Sequence, residues 1–264
     1  MSVSRYMALG DGLRQKLALG LFGILAPPHD HHRVRTRRIL KRFISGLWLA
    51  PRALKGHKLL IDPNDWSQTV IFDEIFLQGN YDFRKVTFTP ELILDCGAHI
   101  GLFSLLASAA FPDAEIIAFE PNPANAEVIR RALLRNSLRL RLEPVAVAVR
   151  AEKRRFLAVN SHGGRLIDGQ GASDTCEVST IDLPAFVREK EPRSLLLKMD
   201  VEGEESVLLP ALAPLLPTTC AIFFETHSGE DGWNAARRLL HDRGFEVQQL
   251  NARGLYIDGF ALRR

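Results

Sequence analysis

Cysteine is scarce in this 264-residue chain. Cys96, Cys176 and Cys220 form no C-x-x-C pair, and no histidine stands near them at zinc-ligand spacing. A zinc-ribbon framework is therefore excluded, and three scattered thiols suit a reducing, cytoplasmic compartment. The chain also lacks any run of the about 18 apolar residues that a membrane-spanning helix needs. Leu17 to Ala26 is apolar but short, holds Gly20 and Gly23, and stops at Pro27-Pro28. Preceded by Arg5, Arg14 and Lys16, it imitates the core of a secretion signal, but without a convincing cleavage pattern of small residues. It reads as a packed helix. Net charge is nearly absent too: 34 Lys and Arg face 31 Asp and Glu. An excess that small does not indicate a nucleic-acid partner.

What is present is ordinary globular material, 46% hydrophobic and 25% charged, enough for one large domain with an appendage. The appendage is expected over residues 1–60 as a helical extension. Leu13, Leu17, Leu21 and Ile24 recur at helical spacing, and a second helix is expected from Arg33 to Trp48. Arg33, Arg35, Arg37, Arg38, Lys41 and Arg42 crowd the latter with no acid among them. The preferred reading is a solvated helix face. The alternative is a patch for phosphate, anionic lipid or an acidic partner, which would give residues 1–50 peripheral membrane contact. His29, His31 and His32 fall in the loop between these helices. Residues 58–90 read as a lid or wall: short strands at Leu59–Ile61 and Val86–Phe88, a helical turn at Asp73–Leu77, and a turn at Gly79-Asn80.

From Leu92 the pattern changes. Apolar strands at 92–94, 116–119, about 140–149, 195–199 and 221–225 alternate with helical stretches. That is the signature of βαβ units and a parallel sheet buried on both faces. Residues 150–176 interrupt it with a glycine-rich loop or long hairpin that includes His162. A hairpin near Gly244–Ile257 closes the chain. The expected fold class is α/β, a Rossmann-like sheet of seven strands, six parallel and one antiparallel at the end, within residues 61–264.

Asp95-Cys96-Gly97-Ala98-His99-Ile100-Gly101 occupies the turn from first strand to first helix, where open α/β sheets bind ligands. Glycines there let backbone approach a ligand closely. The dinucleotide fingerprint G-x-G-x-x-G is not met, and Asp95 would repel pyrophosphate. An acid there suits a cofactor with a cationic amino group and no phosphate, such as S-adenosylmethionine. Glu120 ends the second strand, where an acid accepts hydrogen bonds from ribose hydroxyls. At the end of the fourth strand, Lys198 and Asp200 share a face. At the end of the fifth, Glu225 and His227 do likewise. Asp200, Glu225 and His227 are expected to converge. Two chemistries stay open for them: His227 as general base, or the three as ligands of Mg²⁺ or another divalent ion. Lys198 is as readily a structural ion pair as a catalytic group.

At these residues the chain resembles the FkbM family of methyltransferases. The stretches that carry the resemblance are Asp95 to Gly101, Phe119-Glu120-Pro121-Asn122-Pro123, Ser179-Thr180-Ile181-Asp182, Leu197 to Glu205, and Glu225-Thr226-His227. They span residues 90–230. The resemblance implies a class I methyltransferase fold and methyl transfer from S-adenosylmethionine to oxygen, on a sugar, glycoconjugate or natural product. It places Asp95, Gly97, Ala98, His99, Gly101, Glu120, Pro121 and Asn122 in the cofactor motifs, and Asp200, Glu202 and Gly203 in an Asp-Val-Glu-Gly motif. His99 stands where the family commonly has Asn. Two other readings are an NAD-dependent oxidoreductase and a non-catalytic binding module that uses its basic N-terminal segment.

Overall fold

Two helices, α1 (Val3–Met7) and α2 (Leu13–Leu25), begin the computed structural model, which describes residues 3–25, 46–157, 164–167 and 175–264. The basic run Arg33–Arg42, His29, His31, His32, His162 and most of the glycine-rich insertion lie outside the described residues. Leu19 and Phe22 of α2 are buried in a cluster with Tyr6 of α1. Gly23 allows that closeness, since a Cβ there would lie 2.4 Å from the Tyr6 ring. Strand β1 (Leu47–Leu49) pairs antiparallel with β2 (Leu59–Ile61). Trp48, expected to end a helix, is thus in a strand: Leu60 supplies its backbone partner, and Pro51 stops helical continuation.

Helix α3 (Trp66–Phe72) starts where the Asp65 carboxylate accepts the amide hydrogens of Ser67 and Gln68. It runs on as a π-helix, Asp73–Gln78, so the expected helical turn is the tail of a longer element. Val86–Phe88, expected as a strand, is not one. Val86 and Phe88 pack onto the sheet through their side chains, and their backbone has no ladder partner.

Then come β3 (Leu92–Cys96), α4 (Leu102–Ala110), β4 (Glu115–Phe119), α5 (Pro123–Asn136) and β5 (Leu140–Glu143). The expected single strand 140–149 ends at Glu143. Pro144 lacks the amide hydrogen to continue it, and β6 (Ala146–Ala148) belongs to a second sheet. That sheet has the order β6-β9-β7-β8, with β7 (Lys153–Leu157), β8 (Arg165–Ile167) and β9 (Thr175–Asp182). The remainder alternates again: α6 (Leu183–Lys190), β10 (Ser194–Met199), α7 (Glu205–Leu212), β11 (Thr219–Thr226), α8 (Gly229–His241), β12 (Glu246–Arg253) and β13 (Tyr256–Arg263).

The large sheet has the order β12-β13-β11-β10-β3-β4-β5. Its neighbours are parallel except at β13, which is antiparallel to both β11 and β12. Six strands therefore share one direction and the last strand in the chain is reversed, inserted beside the edge. This is a Rossmann-type order extended by a reversed hairpin, the class I methyltransferase fold. Leu195, Leu196 and Leu197 are wholly buried in succession, because helices cover both faces of the sheet. Lys198 follows them and is buried as well.

Candidate functional site

Strand order reverses at β3, whose two neighbours lead away in opposite directions. A crevice opens there at the carboxyl ends of the strands. It holds a cavity of about 360 Å³. The floor comes from the sheet: Gly97, Glu120, Asp200 and Glu225. The walls come from three separate places: Trp66, Val70 and Ile71 on α3, Phe156 and Leu166 on the second sheet, and Arg253 and Tyr256 on the terminal hairpin.

Gly97 is dictated by packing. Its φ is +79°, and a Cβ there would lie 1.9 Å from the carbonyl oxygen of Asp200. The loops after β3 and β10 touch backbone to backbone, which only glycine allows. His99 also has a positive φ, 53°, the conformation that Asn and His tolerate best among side-chain-bearing residues. Its amide hydrogen goes to Glu120 Oε2 at 2.7 Å, and Asn122 N donates to Glu120 Oε1 at 2.8 Å. Glu120 thus ties two loops together and still faces the cavity. Burial pushes its pKa up to about 7, against the downward pull of these two amides. Pro121 and Asn122 also line the cavity, and the Asn122 side chain caps α5. Ala98 and Gly101 shape the turn without lining the cavity.

Asp95 does not reach the cavity. It is fully buried behind the turn, where Ser104 Oγ donates to its Oδ2 at 2.6 Å and Lys198 Nζ stands 3.6 Å from its Oδ1. The expectation of direct contact with a cofactor amine gives way, since the strand sinks this side chain beneath Gly97. Lys198 donates to the carbonyl of Gly97 at 2.5 Å and lies 3.6 Å from Asp200. Burial opposes its charge, but Asp200, Tyr81 and Asp95 outweigh that and raise its pKa. Lys198 thus sits beneath the turn as the shared ion-pair partner of Asp95 and Asp200.

Asp200, Glu225 and His227 do converge, with Glu202 and Glu205 added. His227 Nε2 lies 3.2 Å from Glu202 and 3.7 Å from Glu225, and its Nδ1 lies 3.3 Å from Glu205. These are ion-pair contacts whose angles fall outside hydrogen-bond geometry. Burial opposes a charge on His227, yet Glu202 and Glu205 prevail and push its pKa up to about 11. With Glu202 and Glu205 facing its two ring nitrogens, the protonated ring is favoured, which speaks against His227 as general base. Glu205 also accepts the amide hydrogens of Val201 and Gly203, at 2.7 and 2.9 Å. His227 and Glu205 together hold the loop that presents Asp200.

The ligand set with metal-binding closeness is Asp200, Glu202 and His227, all within 4.8 Å of one another. Glu202 takes the place expected for Glu225. With an imidazole among its three donors, this set does not match Mg²⁺, which prefers oxygen ligands.

Glu225 lines the cavity, and its pKa is raised to about 8 by burial and by the nearby Asp200 and Asp258. Arg253 reaches it at 3.5 Å and reaches Glu74 of the π-helix at 2.5 Å. Glu74, Arg253 and Trp66 were not among the sequence candidates. They lie on elements far apart in the chain, and no motif marks them.

Fold and crevice together define a class I methyltransferase. Residues 95–247 match the family described as Methyltransferase FkbM domain, and the chain belongs to that family. Methyltransferase sdnD of Sordaria araneosa is 29% identical over 212 residues, covering 67% of this chain and 82% of that protein. The 31-O-demethyl-FK506 methyltransferase FkbM of Streptomyces tacrolimicus is 25% identical over 213 residues, covering 67% of this chain and 81% of that protein. A crystal structure of methyltransferase FkbM from Methylobacillus flagellatus KT aligns with a TM-score of 0.45 at 11% identity, covering 85% of this chain and 57% of that one. Family membership sets aside the oxidoreductase reading.

Proposed function

We propose that this methyltransferase uses S-adenosylmethionine to methylate a hydroxyl group of a sugar, glycoconjugate or natural product. The observation that carries the proposal is Glu120: a buried carboxylate on the floor of a cavity of about 360 Å³, beside the Gly97 turn. Its Oε1 accepts the Asn122 amide and, at 3.5 Å, the Asn125 side chain, whereas its Oε2 accepts only the His99 amide and keeps a lone pair for a ribose hydroxyl. The cavity volume falls within the range of small-molecule sites. When bound, the cofactor supplies an electrophilic methyl group on a sulfonium.

The chain's residues then do the rest. Gly97 and His99 shape the turn against which the cofactor rests. Asp200, held by Lys198 below it, supplies negative charge for the cofactor's cationic groups. The apolar wall of Trp66, Val70 and Phe156 excludes water, which strengthens these electrostatic contacts. Glu225 accepts the proton of the acceptor hydroxyl. Burial and nearby carboxylates raise its pKa above the ordinary range, which makes its ionised form a stronger base than an ordinary carboxylate. The Streptomyces tacrolimicus relative is named for 31-O-demethyl-FK506, a name that puts its acceptor atom on oxygen and supports the same choice here.

Transfer of radiolabelled methyl from the cofactor to a panel of sugars, glycosides and hydroxylated natural products tests this. Label is expected in an alkali-stable methyl ether, with kcat reduced about 10²- to 10⁴-fold in Glu225→Gln. Label in an ester or amine, or a wild-type rate in the variant, would contradict it.

A further inference from the structure

Helix α2 is apolar on two sides, and among the described residues only one of them is covered. Leu19, Phe22 and Leu25 are buried. Leu13, Leu17 and Ile24 are 73%, 58% and 45% exposed. At about 100° per residue these three fall within about 40° of one another, on a single stripe. Surface helices of soluble domains normally carry polar residues there, and a grouped apolar stripe marks a contact site. Arg14 and Lys16, both exposed, flank it on either side. The described residues up to 60 hold six cations, Arg5, Arg14, Lys16, Arg52, Lys55 and Lys58, against one acid, Asp11.

We propose that α2 docks the enzyme on an anionic lipid bilayer, lying in the plane of the interface. The leucine-isoleucine stripe would enter the acyl boundary while Arg14 and Lys16 meet lipid headgroups. Among the described residues no helix is long and apolar enough to cross a membrane, so the contact is peripheral. Charge complementarity selects this partner: a second copy of the chain would bring cations against cations. The helix that docks also packs, through Phe22, on Phe72 of α3, so the bilayer would lie one helix away from the cavity wall.

The test is co-sedimentation of the full chain with phosphatidylcholine vesicles, with and without phosphatidylglycerol. The expected result is binding to the anionic vesicles that added salt weakens. The triple variant Leu13→Ser, Leu17→Ser, Ile24→Ser is expected to bind them at least about tenfold more weakly, with circular dichroism and melting temperature like wild type. Arg14→Glu with Lys16→Glu is expected to lose the preference for anionic lipid. Wild-type binding by the triple variant overturns the proposal, as does absence of binding by wild type. A dimer in size-exclusion chromatography that the triple variant abolishes, without vesicle binding, assigns the stripe to a second copy and overturns it too.

Discussion

Glu120 shows how one residue serves architecture and ligand at once. Its carboxylate fixes the loops after β3 and β4 through the amides of His99 and Asn122, and burial lifts its pKa from 4.5 to about 7. The sign for stability follows from proton linkage. The folded state takes up a proton between those two values that the unfolded state has released, so this group's contribution falls as pH rises through that window. Ligand binding has the opposite sign, because a ribose hydroxyl donates to the ionised carboxylate. Affinity for S-adenosylhomocysteine is expected to fall as pH drops below about 7, approaching tenfold per unit, and Glu120→Gln is expected to flatten that slope. Titrations from pH 8 to pH 5.5 check it, and an unchanged slope in the variant would refute the role. Position in the sequence was enough to mark Glu120, Gly97 and Asp200 as candidates, because strand ends and glycine turns mark the rim of a parallel sheet. Depth was not legible. Strand alternation says which face Asp95 and Lys198 point to, but not that the Gly97 turn roofs them over.

At the scale of elements, the βα units were readable because continuous apolar strands announce a sheet covered on both faces. The irregular walls were not. Helix α3 starts at the local Asp65 cap, but its shift to π-helix comes at Asp73, where tertiary contact acts. One such contact is the bond from Tyr6 Oη to Asp73 Oδ2, 3.0 Å long and buried, by which α1 clasps the helix that walls the cavity. Tyr6→Phe is expected to loosen this clasp by roughly 1 kcal/mol. Hydrogen exchange should quicken across residues 66–78 while β3 and β10 keep their protection. Unchanged exchange in 66–78 would mean that the bond contributes nothing to the wall. Pro144 supplies the complementary lesson. A single proline divides what hydropathy presents as one strand, and the second half joins another sheet.

At the scale of the molecule, a seven-stranded sheet fixes the floor of the crevice, and three elements remote in sequence complete its walls: α3, the second sheet and the terminal hairpin. That division explains why the class of chemistry was legible and the acceptor surface was not. The floor is set by strand order and short motifs, whereas the walls meet only in the folded chain. Arg253 shows the difference, since it meets Glu74 and Glu225 only once the hairpin closes over the π-helix. The central claim is that this crevice binds S-adenosylmethionine. Calorimetric titration of the wild-type chain with S-adenosylhomocysteine, beside Glu120→Ala, tests it most directly. The account predicts micromolar binding, about −8 kcal/mol, weakened at least about tenfold in the variant. A folded wild-type protein that gives no heat, or a variant that binds as tightly as wild type, would contradict it.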